Sequence, residues 1–323
     1  MKPLHVAVIG AGSFGRNHIR VVSQLRDVEL AAVVDCDAEK LADLDLSPAT
    51  RRLTNLNELP DQTDAALLVT PTNTHEELAT RLLQSGVDVL VEKPIADSSA
   101  AGERLGRLAE ANGRILQVGH LERFNPAVAA LNGIVTVPLF FEIHRLSVFT
   151  PRSLDTDVVL DLMIHDLDIV LSLVKQSPVE IRAAGISVLS PKVDIANVRL
   201  AFSTGCVANL TASRVSTERV RKLRLFQPGQ YVTVDYARQE AAVLQVKQDG
   251  AAENPKIDFA QLPVDKREPL QQELIAFFQS VRERTPPLVG AEEAVQSLRA
   301  AEAIAVKIKE HGDLVRDTVG SYC

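Results

Sequence analysis

Cysteine is scarce in this chain. The three present, Cys36, Cys206 and Cys323, are far apart and odd in number. They form neither a disulfide framework nor a metal-ligand pattern, so no metal site and a reduced, cytoplasmic setting are expected. Excess positive charge is also missing. Lys plus Arg number 35 against 42 Asp plus Glu, for a net charge of −7. With no basic run, a nucleic-acid or anionic-membrane surface is excluded as a partner, although a local cluster could still bind an anionic ligand. No apolar stretch approaches the roughly 20 residues needed to span a bilayer. The opening "MKPLHVAVIGAG" lacks an apolar core of signal-peptide length and runs into a glycine loop, so it is expected to be a first strand. Internal repeats and low-complexity tracts are absent.

What is there is ordinary for a globular chain: 323 residues, 46% hydrophobic and 24% charged. Two domains of about 150 residues each are expected from the length. The first third alternates short apolar runs ("HVAVI", "ELAAVV", "AALLV", "VDVLV", "RILQV") with segments of helical spacing, such as "FGRNHIRVVSQL" and "HEELATRLLQSG". That rhythm predicts βαβ units and a parallel sheet, a Rossmann domain over residues 1–120. After about Gly119 the rhythm changes. "VTVPLFFEIHRLSVF" reads as a long strand, and six further strands are joined by short turns such as "STG" and "QPGQ". The stretch "KQDGAAENPKIDFAQLPVDKREP" reads as a loop, and two helices follow near "EPLQQELIAFFQSVRER" and "GAEEAVQSLRAAEAIAVKIKE". Residues 121–323 are therefore expected to form an α+β domain with a large, open, mostly antiparallel sheet, for substrate binding and oligomerisation. The fold class is α/β.

"VIGAGSFG" carries Gly10, Gly12 and Gly15, with Ser13 and Phe14 between them, as a G-x-G-x-x-G that follows a strand and opens a helix. A second strand ends at Asp35, twenty residues after Gly15. In that setting Gly10 allows the tight turn, Gly12 lets the backbone approach a pyrophosphate, and Gly15 permits close helix packing. The helix N-terminus offers N–H donors to phosphates. Asp35 would accept hydrogen bonds from ribose hydroxyls and repel a 2′-phosphate, which favours NAD over NADP. The bland alternative is a generic strand-turn-helix with glycines. Downstream, Thr70, Pro71, Asn73 and His75 of "VTPTNTHEE" follow another strand, at the sheet edge where ligands bind, and are candidates to flank the cofactor. His75 could equally be a helix-cap or surface residue.

Glu92, Lys93 and Pro94 end the next strand. Lys93 could stabilise a developing alkoxide. Its alternative is a surface ion pair. Further on, "DLMIHD" puts Asp161 and His165 four residues apart in an apolar run. On a helix both would share one face. A carboxylate beside an imidazole can orient it, and an imidazole, with a reference pKa of about 6.5, suits a general base. A satisfied polar pair at the edge of a core helix is the plain alternative.

The glycine loop, "TPTNTHEE", "EKP" and a late D-x-x-x-H, in this order, resemble the glucose-fructose oxidoreductase/inositol dehydrogenase/rhizopine-catabolism (Gfo/Idh/MocA) family of NAD(P)-dependent sugar oxidoreductases. The resemblance implies a catalytic trio at Lys93, Asp161 and His165. It also implies that Glu92 and Lys93 lie at the cofactor and that the Lys93–Pro94 peptide is cis. The phrase "VGHLERFNPA", with "LDLMIHDLD", resembles a subgroup that includes UDP-N-acetylglucosamine 3-dehydrogenases. Those enzymes oxidise a sugar C3 hydroxyl ahead of a partner aminotransferase, on the way to lipid A or surface polysaccharide. A nucleotide-sugar diphosphate would need cationic donors, and Arg123, Arg145, Arg152 and Arg214 are candidates. Asn125 and His144 could reach sugar hydroxyls. Two rivals remain: a dehydrogenase of a free polyol such as an inositol, and a non-catalytic NAD-binding sensor. An open sheet with one uncovered apolar face would seek a second copy, giving a homodimer or homotetramer.

Overall fold

The computed structural model describes residues 2–150, 156–247 and 256–320. The chain divides into two compact units, one of residues 1–121 with 268–295 and one of residues 122–267 with 296–323.

The first unit is built on β1 (Leu4–Ile9), α1 (Ser13–Val22), β2 (Val28–Val34), α2 (Ala38–Ala42), β3 (Arg51–Leu53), β4 (Ala65–Leu68), α3 (His75–Gln84), β5 (Asp88–Glu92), α4 (Ser99–Ala111) and β6 (Leu116–Gly119). Its six strands are ordered β3-β2-β1-β4-β5-β6, and every pairing is parallel. The four residues of β4 and the five of β5 are all buried, as expected of strands covered on both faces. The strand order reverses between β1 and β4, and such switch points bring the carboxyl-end loops together as a ligand crevice. β3 was not anticipated. At three residues, "RRL" is too short to show a period.

In the second unit come α5 (Pro126–Ala129), β7 (Phe140–Val148), a wide π-type turn at Val159–Met163, α6 (Ile164–Val174), β8 (Glu180–Ile186), β9 (Ile195–Ala201), β10 (Val207–Ser216), β11 (Val220–Gln227), β12 (Gln230–Asp235), β13 (Glu240–Lys247) and β14 (Lys256–Gln261). The eight strands run β14-β13-β12-β11-β7-β10-β9-β8. All neighbours are antiparallel except β7 and β10, which are parallel at the centre. β14 lies in the segment expected to be a loop. Its six residues are all exposed, so its pairing with β13 leaves no burial pattern to read. One face of the sheet packs Phe141, Ile143, Val198, Leu210 and Leu223 against Leu167 and Val170 of α6 and against the C-terminal helix residues Ile304 and Ile308.

α7 (Pro269–Glu283) and α8 (Ala291–Gly320) close the chain. α7 belongs to the first unit, where Leu270, Leu274, Phe277 and Phe278 pack with Val6, Val8, Ile19 and Val33. The units therefore differ from a single cut at residue 120. Helical spacing identifies α7 as amphipathic but does not name the core it completes. Among the described residues, no helix is long and apolar enough to cross a membrane.

Candidate active site

Gly10 adopts φ +103°, and a Cβ there would stand 2.3 Å from the Val69 carbonyl oxygen. A Cβ on Gly15 would stand 2.0 Å from the Gly10 carbonyl oxygen. Both positions exclude any larger residue. Gly12 differs: it is the N-cap of α1, no side chain caps the helix there, and its Cβ direction meets nothing within 4 Å. Open space over the first turn of a ten-residue helix suits the pyrophosphate of a dinucleotide. Ser13 is exposed at the first helical position. Phe14 is part-exposed and stacks edge-on against His18, with ring centroids 5.1 Å apart.

Asp35 follows β2. One carboxylate oxygen accepts from the Ala11 N–H at 2.8 Å and the other from the Asp37 N–H at 2.9 Å. The carboxylate thus braces the glycine loop from the neighbouring strand. Lys40 Nζ stands 3.7 Å from Asp35, a cation that motif spacing did not single out.

In the loop after β4, the Thr70 hydroxyl pairs with the Thr74 hydroxyl at 2.7 Å. Pro71 caps a short 3₁₀ turn that contains Asn73. His75 opens α3 and is buried rather than a surface residue. Its Nδ1 lies 2.9 Å from the Pro94 carbonyl oxygen and its Nε2 lies 2.9 Å from the Thr70 carbonyl oxygen. Glu92 turns inward. It accepts from the Lys93 N–H at 3.2 Å and pairs with His18 Nε2 at 2.9 Å. A Cβ on Gly119 would come within 2.9 Å of that carboxylate, so glycine at the end of β6 leaves Glu92 its space. Lys93 is half-buried, and the Lys93–Pro94 peptide is cis, as expected. Behind them Glu273 of α7 is fully buried, and burial together with Glu92 holds its carboxyl well above the usual range.

In the second unit Asp161 sits in the π-type turn and His165 is the second residue of α6. Regular α geometry through both was the expectation. Four residues still amount to about one turn in either geometry, so both side chains remain on one side of the helix. Both are half-buried.

The next residue, Asp166, is locked in a buried network. Arg145 donates from Nε and Nη2 to its two oxygens, each at 2.7 Å, and from Nη1 to Glu122 at 2.9 Å. The guanidinium also lies 5.1 Å from the Tyr236 ring centroid. Burial pushes the Asp166 carboxyl up, beyond what Arg145 offsets. For Glu122 burial is opposed by Arg145 and Asn125, which hold its carboxyl below the usual range.

This network corrects several expected substrate contacts. Arg145 is 2% exposed, and all three of its nitrogens donate to Asp166 or Glu122, so it is turned into the fold and offers no diphosphate clamp. Asn125 is buried as the N-cap of α5, accepting from Ala127 N–H and donating to Glu122 and the Tyr236 carbonyl. Arg214 is buried against the Thr156 carbonyl and Asp194. His144 alternates with Ile143 and Arg145 along β7 and so faces away from the α6 side of the sheet. Arg123 lies beside α6, 3.5 Å from Asp168. Arg152 lies outside the described residues. The Glu122–Arg145–Asp166 network and the His18–Glu92 pair were both missed. A charge inside an apolar alternation, as at Arg145 in "FFEIHRLSV", was the available signal.

Comparison with known proteins agrees with this fold. Residues 4–120 match the Gfo/Idh/MocA oxidoreductase family, NAD-binding Rossmann fold, and residues 134–227 match a Gfo/Idh/MocA C-terminal domain. A UDP-N-acetylglucosamine 3-dehydrogenase from Acidithiobacillus ferrooxidans is 33% identical over 310 residues, covering 95% of this chain and 97% of the relative. A solved structure of a UDP-N-acetylglucosamine 3-dehydrogenase from that organism superposes with a TM-score of 0.89 at 31% identity, covering 96% of this chain and 99% of that one. An inositol 2-dehydrogenase from Mycolicibacterium smegmatis is 30% identical over 180 residues, 52% of each chain. The chain belongs to the Gfo/Idh/MocA family of oxidoreductases, and its first unit carries that family's NAD-binding Rossmann fold.

Proposed function

We propose that this protein oxidises the C3 hydroxyl of UDP-N-acetylglucosamine to a ketone with NAD as the acceptor. The observation that carries the proposal is the likeness to a UDP-N-acetylglucosamine 3-dehydrogenase along 95% of the chain, where the inositol 2-dehydrogenase match spans 52%. NAD, when bound, supplies the hydride acceptor. His165 takes the hydroxyl proton, and the electrons of the O–H bond become the second bond of the carbonyl as hydride leaves the same carbon. Lys93 stabilises the negative charge that develops on oxygen. Asp161, one turn before His165, orients the imidazole or holds a neighbouring hydroxyl. Gly10, Gly12, Gly15 and Asp35 hold the dinucleotide, with Thr70, Pro71 and Asn73 beside them.

Arg123 is the remaining described candidate for the diphosphate. A 3-keto sugar is the kind of substrate an aminotransferase consumes, which fits a cytoplasmic role in making amino sugars for lipid A or surface polysaccharide. A homodimer or homotetramer is part of the proposal. Its support is the exposed apolar row on the second unit's open sheet face, which includes Phe226, Phe259 and Val246. The test is NADH formation on a panel of UDP-N-acetylglucosamine, free N-acetylglucosamine and myo-inositol. Turnover confined to the nucleotide sugar is expected, and turnover confined to an unactivated sugar or polyol refutes the substrate while leaving the chemistry standing.

A further inference from the structure

His75 is 1% exposed, and each of its ring nitrogens faces a backbone carbonyl oxygen at 2.9 Å. Both partners are acceptors. A neutral imidazole has one N–H, so it donates to one carbonyl and turns a lone pair to the other; only the charged ring donates to both. Burial holds the His75 pKa below its ordinary value, against the pull of the Thr70 and Pro94 carbonyls and of the Glu92 and Asp97 carboxylates. The neutral ring therefore has one proton to share between two sites.

The two carbonyls belong to different strand ends. Thr70 follows β4, and Pro94 follows Lys93 at the end of β5. We propose that His75 is a positioning residue that latches the loop after β4 to the lysine-bearing turn after β5, its single N–H anchoring one or the other. The inference rests on the proposed roles of Lys93 in catalysis and Thr70 beside the cofactor. With the proton on Nδ1, Pro94 is held and Lys93 is fixed in place. With the proton on Nε2, Thr70 is held and the cofactor side of the crevice is fixed instead.

The two states can be imitated separately. The Asn amide nitrogen sits where Nδ1 does, and the Gln amide nitrogen sits near Nε2. His75→Asn is expected to keep the Pro94 contact and loosen Thr70, so NADH affinity falls about 3–10-fold, the effect of one lost hydrogen bond, with turnover less affected. His75→Gln is expected to do the reverse, and misplacement of Lys93 lowers kcat about 10–100-fold while NADH affinity is less affected. Equal changes in kcat and in NADH Kd for the two variants, whether both native-like or both impaired, would overturn the latch. A Lys93→Ala control separates the premise: if it keeps wild-type kcat, the role of Lys93 is lost; if it is inactive while the two His75 variants behave alike, only the latch is lost. Should either variant fail to fold, nitrogen NMR of His75 in ¹⁵N-histidine-labelled wild-type protein decides. A proton distribution between Nδ1 and Nε2 that changes on adding NADH supports the latch, and one that does not change overturns it.

Discussion

Replacing Arg145 by Met separates a structural arginine from a substrate-binding one. The guanidinium makes two bonds of 2.7 Å to Asp166 and one of 2.9 Å to Glu122. Met fills similar volume but leaves both carboxylates buried, with Arg221, 3.9 Å from Glu122, as a remaining cation. Breaking a buried ion pair from one side costs about 3–5 kcal/mol, because the stranded charge keeps its desolvation penalty. At about 2–4 °C per kcal/mol for a body of this size, the melting transition should fall by roughly 6–20 °C. Scanning calorimetry on wild type and variant reads this directly. The pH dependence has a definite sign. A carboxyl whose folded pKa is raised opposes folding increasingly as pH rises above its unfolded value. Asp166 is already raised, and losing Arg145 raises it further, so the deficit should shrink as pH falls toward the ordinary carboxylate range. An Arg145→Met protein that melts within about 2 °C of wild type but needs more nucleotide sugar for half-maximal rate would refute this account and restore the diphosphate clamp.

Other expectations follow from the same contacts. His165→Ala and Lys93→Ala should each lower kcat by about 10²–10⁴, with NADH binding still seen by fluorescence in both and its Kd unchanged for His165→Ala; near-full turnover of His165→Ala would return Asp161 and His165 to a structural role. Asp35→Ser should narrow the preference for NAD over NADP, because it removes the ribose contact and the carboxylate that repels a 2′-phosphate, leaving Lys40 with Asp37 as its acidic neighbour at 3.8 Å. A wild-type preference for NADP of tenfold, about 1.4 kcal/mol, would contradict the role given to Asp35. For Glu273, held well above the usual carboxylate range, wild-type stability should be fullest below the unfolded pKa and decline as pH climbs toward the folded one. Glu273→Gln removes that titration, so melting curves across pH should increasingly favour the variant at high pH; parallel curves would mean that Glu273 is not held neutral.

The parts of this protein legible in its sequence are those set by short-range chemistry. Gly10 needs φ +103°, and Gly10 and Gly15 lie against backbone atoms that no Cβ clears, so the turn is written in the glycines themselves. Short apolar runs and helical spacing mark the strands and helices, and the change of rhythm after Gly119 marks the change from a parallel to a mostly antiparallel sheet. D-x-x-x-H survives the π-type turn because four residues make about one turn either way. The tertiary structure alone decided what each side chain meets. Arg145 and His144 are adjacent basic residues in one strand, and pleating sends them to opposite faces. Asn125 and Arg145 look like ligands in a list of polar residues, but a buried polar group must find partners inside the fold, and theirs are Glu122, Asp166 and the α5 backbone. β14 has no pattern because its six residues are all exposed, and α7 joins the first unit because Phe277 and Phe278 complete a core begun more than two hundred residues earlier. Local geometry depends on neighbours in sequence; burial and pairing depend on neighbours in space, which folding alone selects.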